Sequence, residues 1–320
     1  MIDTLDSYSL VAIYSAMAVY TLAFALFAVD LAKRSANSKK AQDATALSAG
    51  QLGAFEGAAG VAVLERTDAP AAPRYRFERV AFALTVLAWA LHVAGVVLRG
   101  VAQGFVPWAN MFEFSLTSSA IVTTVFLVIQ FWQDLKFLGV YMTGFVLVSL
   151  GMGTVNFYVP VKPLPDALDS YWLIIHVFVA ALATALFAIG AGLSLLQLLQ
   201  SRREDVGRGL GFLRTLPNSL RLENLAYLVT VVGFVFWTFT LIAGSIWAER
   251  AWGRYWGFDT KEVWTFIIWV VYAGYIHARA TRGWRGARSA WLALIGFASV
   301  MFNYTIVNVF FKGLHSYSGL

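Results

Sequence analysis

Apolar runs of about 20 residues, long enough to cross a hydrocarbon core of about 30 Å at 1.5 Å per helical residue, recur along the whole chain. They lie near residues 8 to 32, 79 to 98, 113 to 132, 137 to 155, 172 to 199, 223 to 246, 262 to 278 and 289 to 311. The pattern predicts an all-α, polytopic membrane helix bundle of about eight transmembrane helices. Between the first two runs the pattern breaks into "KRSANSKKAQDATALSAG" and further polar, Ala-rich and Gly-rich sequence. The expected organisation is therefore a first transmembrane helix over 1 to 32, a flexible cytoplasmic loop over 33 to 77 and a seven-helix core over 78 to 320. The first run reads as a retained helix. Its leading residues "MIDTLDSYS" are acidic and polar, and the basic cluster follows the run instead of preceding it.

Charge sets the orientation. Eighteen Lys and Arg residues fall in the connections after helices one, three, five and seven, and six fall on the other side: Arg99, Lys162, Arg250, Arg254, Lys261 and Lys312. Basic residues accumulate in cytoplasmic loops, so both termini are expected on the outer side. The same argument accounts for the net charge of +6 without invoking nucleic acid.

Composition narrows the chemistry. With 59% hydrophobic and 13% charged residues and a mean hydropathy of +0.67, the chain belongs in a lipid bilayer. It has no cysteine, which excludes disulfides, thiolate metal sites, iron–sulfur clusters and a cysteine nucleophile. Four histidines remain: His92, His176, His277 and His315.

One segment breaks the apolar monotony. "WGRYWGFDTKEVW", Trp252 to Trp264, lies in the outer connection between helices six and seven and gathers aromatic and charged residues together. Continued as a helix, it would place Trp252, Trp256 and Asp259 on one face at i, i+4 and i+7, with Trp247 one turn before and Trp264 closing the segment. An interfacial aromatic belt is the bland reading. A flat aromatic surface rimmed by Asp259, Lys261 and Glu262 also suits a large planar ligand with anionic edges. His176, near the outer end of helix five, and His315, just beyond helix eight, flank this segment in sequence. Two neutral imidazoles facing each other across an iron make a bis-histidine haem site, and haem is such a planar ligand. His277, at the inner end of helix seven, and His92, about two-thirds of the way up helix two, differ in depth by roughly 20 Å and cannot share an iron. If His277 binds a second haem, the other ligand comes from another subunit or from water. His92 reads as an interhelical hydrogen-bonder.

These residues carry a family resemblance. "WAERAWGRYWGFDTKEVW" resembles the tryptophan-rich WWD signature of haem-handling membrane proteins of cytochrome c maturation, with the CcsA (ResC) family of the system II synthase as the nearest pattern. Trp252, Gly253, Trp256, Asp259, Lys261, Glu262 and Trp264 match that pattern, while Phe258 replaces a Trp and Thr260 a Pro. The tail "FNYTIVNVFFKGLHSYS" is similar to the family ending at Asn303, Asn308, Gly313 and His315. "GFVPWANMFEFS" resembles the outer loop at Pro107, Asn110 and Glu113, and "YWLIIHVFVA" resembles the first outer histidine segment. The resemblance covers roughly residues 80 to 320. It implies that His176 and His315 are outer haem ligands flanking a WWD segment over 247 to 264. It also implies that His277 is a membrane haem ligand partnered by a CcsB (ResB) subunit. The expected substrate and ligand is haem b, the expected partners are that subunit and apocytochrome c, and the expected location is the bacterial plasma membrane. The implied activity is haem delivery and attachment to a CxxCH segment, as a subunit of a haem-lyase-type synthase.

Two other classes stay open at this point: a b-type electron-transfer subunit, and a haem exporter or chaperone-loading protein like the CcmC relatives. The first wants paired histidines at matching depth, and the second is shorter, with about six helices. Among the outer cations, Arg99, Arg254 and Lys261 are candidates for haem propionates. Asp259 and Glu262 suit either acid–base work or a salt-bridged loop. Glu113 is expected to fold back onto this cluster or to face water. Asn303 and Asn308 are expected to bridge helices and fix the tail that carries His315.

Overall fold

The computed structural model describes residues 2–53, 76–165, 168–207, 209–281 and 283–315. These form helices α1 (Ile2–Gly53), α2 (Arg76–Gln103), α3 (Met111–Ile129), α4 (Gly139–Asn156), α5 (Tyr171–Val206), α6 (Ser219–Trp252), α7 (Thr260–Thr281) and α8 (Ala287–Phe302). A π turn, Asn303–Val307, and a last helical piece, Asn308–Phe310, continue α8. Among the described residues, seven helices are long and apolar enough to cross a membrane. The predicted span at 262 to 278 exists as α7 but is not one of the seven. Its Trp, Tyr and charged residues lower its hydropathy below that of its neighbours.

The predicted end of the first helix at residue 32 is corrected. α1 runs on to Gly53, because "KKAQDATALSAGQLG" is rich in Ala, Lys, Gln and Leu, all strong helix formers, which outweigh its glycines and serines. Ser38 on this extension donates to the Gly211 carbonyl at 3.0 Å, tying it to the turn between α5 and α6. The rest of the predicted flexible connection, 54 to 75, lies outside the described residues.

The helix boundaries follow local chemistry. Asn110, Ser170 and Asn218 cap α3, α5 and α6 with side-chain oxygens that accept backbone N–H groups. α5 and α6 stop at Gly207 and Gly253, both in the left-handed region at φ 69° and 70°, where a side chain would be strained.

α5 is the central helix, packed against α3, α6 and α8. In a bilayer, helices gain little from the hydrophobic effect and associate through close packing, which small residues permit. α5 supplies them at Ala181, Ala183, Ala185, Ala188, Gly190 and Gly192. A Cβ on Gly190 would come within 2.5 Å of the Thr230 hydroxyl on α6, so the approach of these two helices depends on its absence. α1 and α2 pair as a second unit that joins the core through α3 and α4.

Polar side chains lock both ends. Arg99, wholly buried, pairs with Asp6 of α1 at 2.6 Å and Glu113 of α3 at 2.9 Å, and donates to the Val159 carbonyl at 2.8 Å. The expectation that Arg99 meets a ligand is therefore corrected: its guanidinium is saturated by the protein. Glu113 neither faces water nor joins the cluster of Asp259 and Glu262, the two places expected of it; it is buried against Arg99 and the Ala109 backbone. At the other end Asp30, Arg34 and Glu78 tie α1 to α2. There too, Glu223 accepts from Arg279, from Ser289 and from the Gly286 backbone. His92 is wholly buried and bridges α2 to the Leu116 carbonyl of α3 at 3.0 Å and to Tyr20 of α1 at 3.5 Å, the interhelical role expected of it.

Candidate functional site

The outer connection of α6 and α7 is not helical. α6 ends at Trp252, and the chain crosses Gly253 to Asp259 without helical structure before α7 begins at Thr260. The expected common face of Trp252, Trp256 and Asp259 does not form, because Gly253 takes the left-handed turn that terminates a helix. A carboxylate then shapes the crossing. Glu262, in the first turn of α7, accepts from the backbone N–H of Gly257 at 2.8 Å and of Asp259 at 3.1 Å. This is the reciprocal half of a capping box. Phe258, held between the two, sits at φ 57° with its ring 80% exposed. Glu262 Oε2 thus serves the backbone, while its Oε1 is buried with no hydrogen-bond partner among the described residues.

Trp252 and Trp256 part company. Trp252 turns inward, its ring 4.7 Å from Trp247 and 4.8 Å from His315. Trp256 packs edge-on to Phe258 and Phe266 on the outer side. Trp247, 1% exposed, stands at the centre: His176 lies nearly parallel to it, 13° and 6.0 Å away, and His315 lies edge-on at 5.5 Å. Sequence reading placed Trp247 only one turn upstream of the motif. Its importance comes from packing, since α6 buries it against α5 and the tail, and no local sequence signal marks it.

Both predicted outer histidines therefore meet at one place, and their hydrogen bonds fix their tautomers. His176 Nδ1 lies 3.0 Å from the Thr240 carbonyl, which can only accept, so Nδ1 carries the proton and Nε2 is bare. Gly244 makes room for this ring, since a Cβ there would lie 2.7 Å from His176 Cε1. His315 Nδ1 lies 2.6 Å from Asp259 Oδ2, which likewise leaves Nε2 as the free nitrogen of the neutral ring. Burial lowers the pKa of His315 despite the opposing effect of Asp259, favouring that neutral form.

The histidines line a cavity of about 170 Å³ bounded by residues of α3, α4, α5, α6, α7 and α8, with Trp108, Phe114, Trp237 and Met301 among its walls. A smaller hollow of about 50 Å³, bounded by Tyr255 and Trp256, shares His176, His315 and Lys261 with it. Lys261 is held at this junction by Asn308, whose amide also reaches Met111 Sδ at 3.3 Å. Asn308 is thus the interhelical bridge expected. Asn303 departs from that expectation: buried in the π turn on the cavity wall, its Oδ1 has no hydrogen-bond partner.

Three predicted residues lie elsewhere. Arg254 lays its guanidinium over Gly257, where a Cβ would collide with it, and does not line the cavity. Trp264 packs on Phe302 at 4.4 Å, inside the α7–α8 contact. His277 is exposed on α7, 17 residues after Thr260 and so about 25 Å along the helix. Among the described residues no three His, Asp or Glu side chains converge on a bare metal ion. Two neutral imidazoles lining one apolar cavity instead suit an iron already held by a porphyrin.

Comparison with known proteins places this geometry. The family model described as "Cytochrome C assembly protein" matches residues 77–315. The chain is 31% identical over 255 residues to a cytochrome c biogenesis protein CcsA of Trieres chinensis, covering 69% of this chain and 81% of that one. It is 34% identical over 250 residues to the CcsA of Prochlorococcus marinus, covering 69% and 78%. A third CcsA, of a Synechococcus strain, is 33% identical over 272 residues, covering 77% and 86%. Among solved structures, "Cytochrome c Heme Lyase CcmF" shares the fold, with a TM-score of 0.63 at 15% identity. The match covers 94% of this chain but only 46% of that longer one.

Proposed function

The chain belongs to the CcsA/ResC family of cytochrome c assembly proteins, and we propose that it brings haem b to the outer site between His176 and His315. There it positions the haem for attachment to the CxxCH segment of an apocytochrome c, acting with a CcsB/ResB-like membrane subunit. The observation that carries this reading is the pair of imidazoles lining one cavity, each with Nδ1 engaged and Nε2 free.

Attachment adds each cysteine S–H across a haem vinyl group: a C–S bond forms, the proton passes to the other vinyl carbon, and no electrons are gained or lost overall. Having no cysteine, this chain is not the acceptor. Its contribution is geometric, since fixing two reactants in attack position lowers a barrier by several kcal/mol. Trp247 and Trp252 wall the imidazoles. Lys261 has N–H donors left after its bond to Asn308 for a haem propionate. The histidine of CxxCH then replaces one axial imidazole and releases the product. His277, exposed on α7 at the other end of the bundle, is placed for a second haem whose other ligand comes from the partner subunit. The excess of basic residues beside His277 supports a cytoplasmic side at that end and both termini on the outer side, and the membrane proposed is a bacterial plasma membrane.

The test is the visible spectrum of the detergent-purified protein with its co-purifying partner. Wild type is expected to show low-spin bis-histidine haem, weakened in His176→Ala and His315→Ala and restored by imidazole. Spectra unchanged in both variants refute the outer site. Thioether formation in a reconstituted system, with and without the partner, separates attachment from haem export alone.

A further inference from the structure

The two imidazoles are not held alike. His176 hydrogen-bonds to a neutral backbone carbonyl, whereas His315 hydrogen-bonds to a carboxylate. Asp259 is itself fixed: its Oδ1 accepts from the Thr260 N–H at 3.0 Å while its Oδ2 accepts from the His315 Nδ1–H. The side chain is only 9% exposed, so bulk water does little to weaken the pair. The tail is shaped to this carboxylate. A Cβ on Gly313 would lie 2.0 Å from Asp259 Oδ1, so the chain can bring His315 onto the carboxylate only because position 313 has no side chain. Three separated elements therefore build the contact: the start of α7, the glycine of the tail and the histidine two residues on.

A carboxylate behind a metal-bound imidazole fixes its tautomer and raises its basicity. A more basic axial ligand favours the ferric over the ferrous iron. We propose that Asp259 is a positioning residue that presents Nε2 of His315 to the haem iron and, by making that imidazole the more electron-donating of the two, lowers the potential of the outer haem. Gly313 is the steric condition for this contact. The inference rests on His315 being an axial ligand, and it assigns the two outer histidines unequal roles: His315 is the strong ligand, and His176, backed by a carbonyl, is the one an incoming imidazole displaces.

The experiment is a spectroelectrochemical titration of the haem-loaded protein with its partner, comparing wild type with Asp259→Asn, Gly313→Ala and His315→Ala. Asp259→Asn keeps a hydrogen-bond acceptor but removes the charge. Gly313→Ala keeps both partners and forces them apart. Both are expected to retain a low-spin spectrum with the potential raised. A tenfold loss of ferric relative to ferrous affinity corresponds to about 59 mV for a one-electron couple. An unchanged potential in both variants overturns the proposal. If Asp259→Asn loses haem, added imidazole decides: recovery of the spectrum means that ligand presentation was lost, as proposed, and no recovery means that Asp259 serves folding alone and overturns it. His315→Ala separates this proposal from the reading beneath it. Should that variant keep the wild-type spectrum and potential, the outer site itself is wrong, whatever Asp259 does.

Discussion

His176 of α5 and Trp247 of α6 lie ring to ring, 13° from parallel with centroids 6.0 Å apart, and the other face of the site closes when His315 arrives edge-on against the same indole. A single buried side chain thus contacts both imidazoles.

Trp247→Ala is expected to remove this shared contact and leave a cavity, lowering stability by about 3 kcal/mol or more and abolishing retained haem. Trp264→Ala, cut from the α7–α8 contact with Phe302, is expected to lower thermal stability while leaving the haem spectrum unchanged. Absorbance and melting temperature measured on the two variants side by side test the separation. Equal spectral loss in both would restore Trp264 to the site.

The buried Arg99 cluster ties α1, α2 and α3 together with the connection after α4. Arg99→Ala leaves Glu113 without its cation in the interior. Breaking one side of such a pair costs about 3–5 kcal/mol. The expected result is a large drop in detergent melting temperature and yield. A melting curve like that of wild type would mean that water reaches the carboxylates.

Phe258 occupies the left-handed region with its ring exposed, so the side chain gains little contact for the strain it bears. Phe258→Gly is expected to leave stability unchanged or slightly raised, whereas Phe258→Val, β-branched in the same conformation, lowers it by about 1–2 kcal/mol. Chemical denaturation of the two variants checks the order, and a less stable glycine variant would point to a contact made by the ring.

Acidification is expected to release the tail of the haem-free protein. Burial holds docked His315 below its ordinary pKa, so between that lowered value and about 6.5 the undocked tail binds more protons, and docking weakens as the pH falls. Docking is full above about pH 6.5. Asp259 adds the same sign at lower pH: its bond to His315 depresses its pKa, and the stability this confers is lost as the pH falls through the depressed value. Of the charged neighbours, Lys261 opposes protonation of His315 and Glu262 favours it. Hydrogen exchange over residues 311 to 315, corrected for intrinsic rate, should be faster at pH 5 than at pH 7.5. Equal protection at both would mean that the tail is held by contacts other than this pair.

Hydropathy was enough to locate the helices, because a bilayer demands long apolar runs whose backbone satisfies itself, and that demand is written locally. It erred where local propensity extends a helix without apolar residues, as in α1 beyond residue 32, and it found α7 even though aromatic and charged residues dilute that helix. Histidine placement was legible for the same reason: depth follows from position along a helix. Which groups face each other was not. That Trp247 touches both imidazoles, that Arg99 is consumed by Asp6 and Glu113, and that Arg254 and Trp264 turn away all depend on contacts between residues brought together only by the fold. The carboxylate behind His315 belongs to the same class. Asp259 and His315 are separated by two helices, α7 and α8, and only the packing of one against the other brings an acid and a base of the sequence to hydrogen-bond distance.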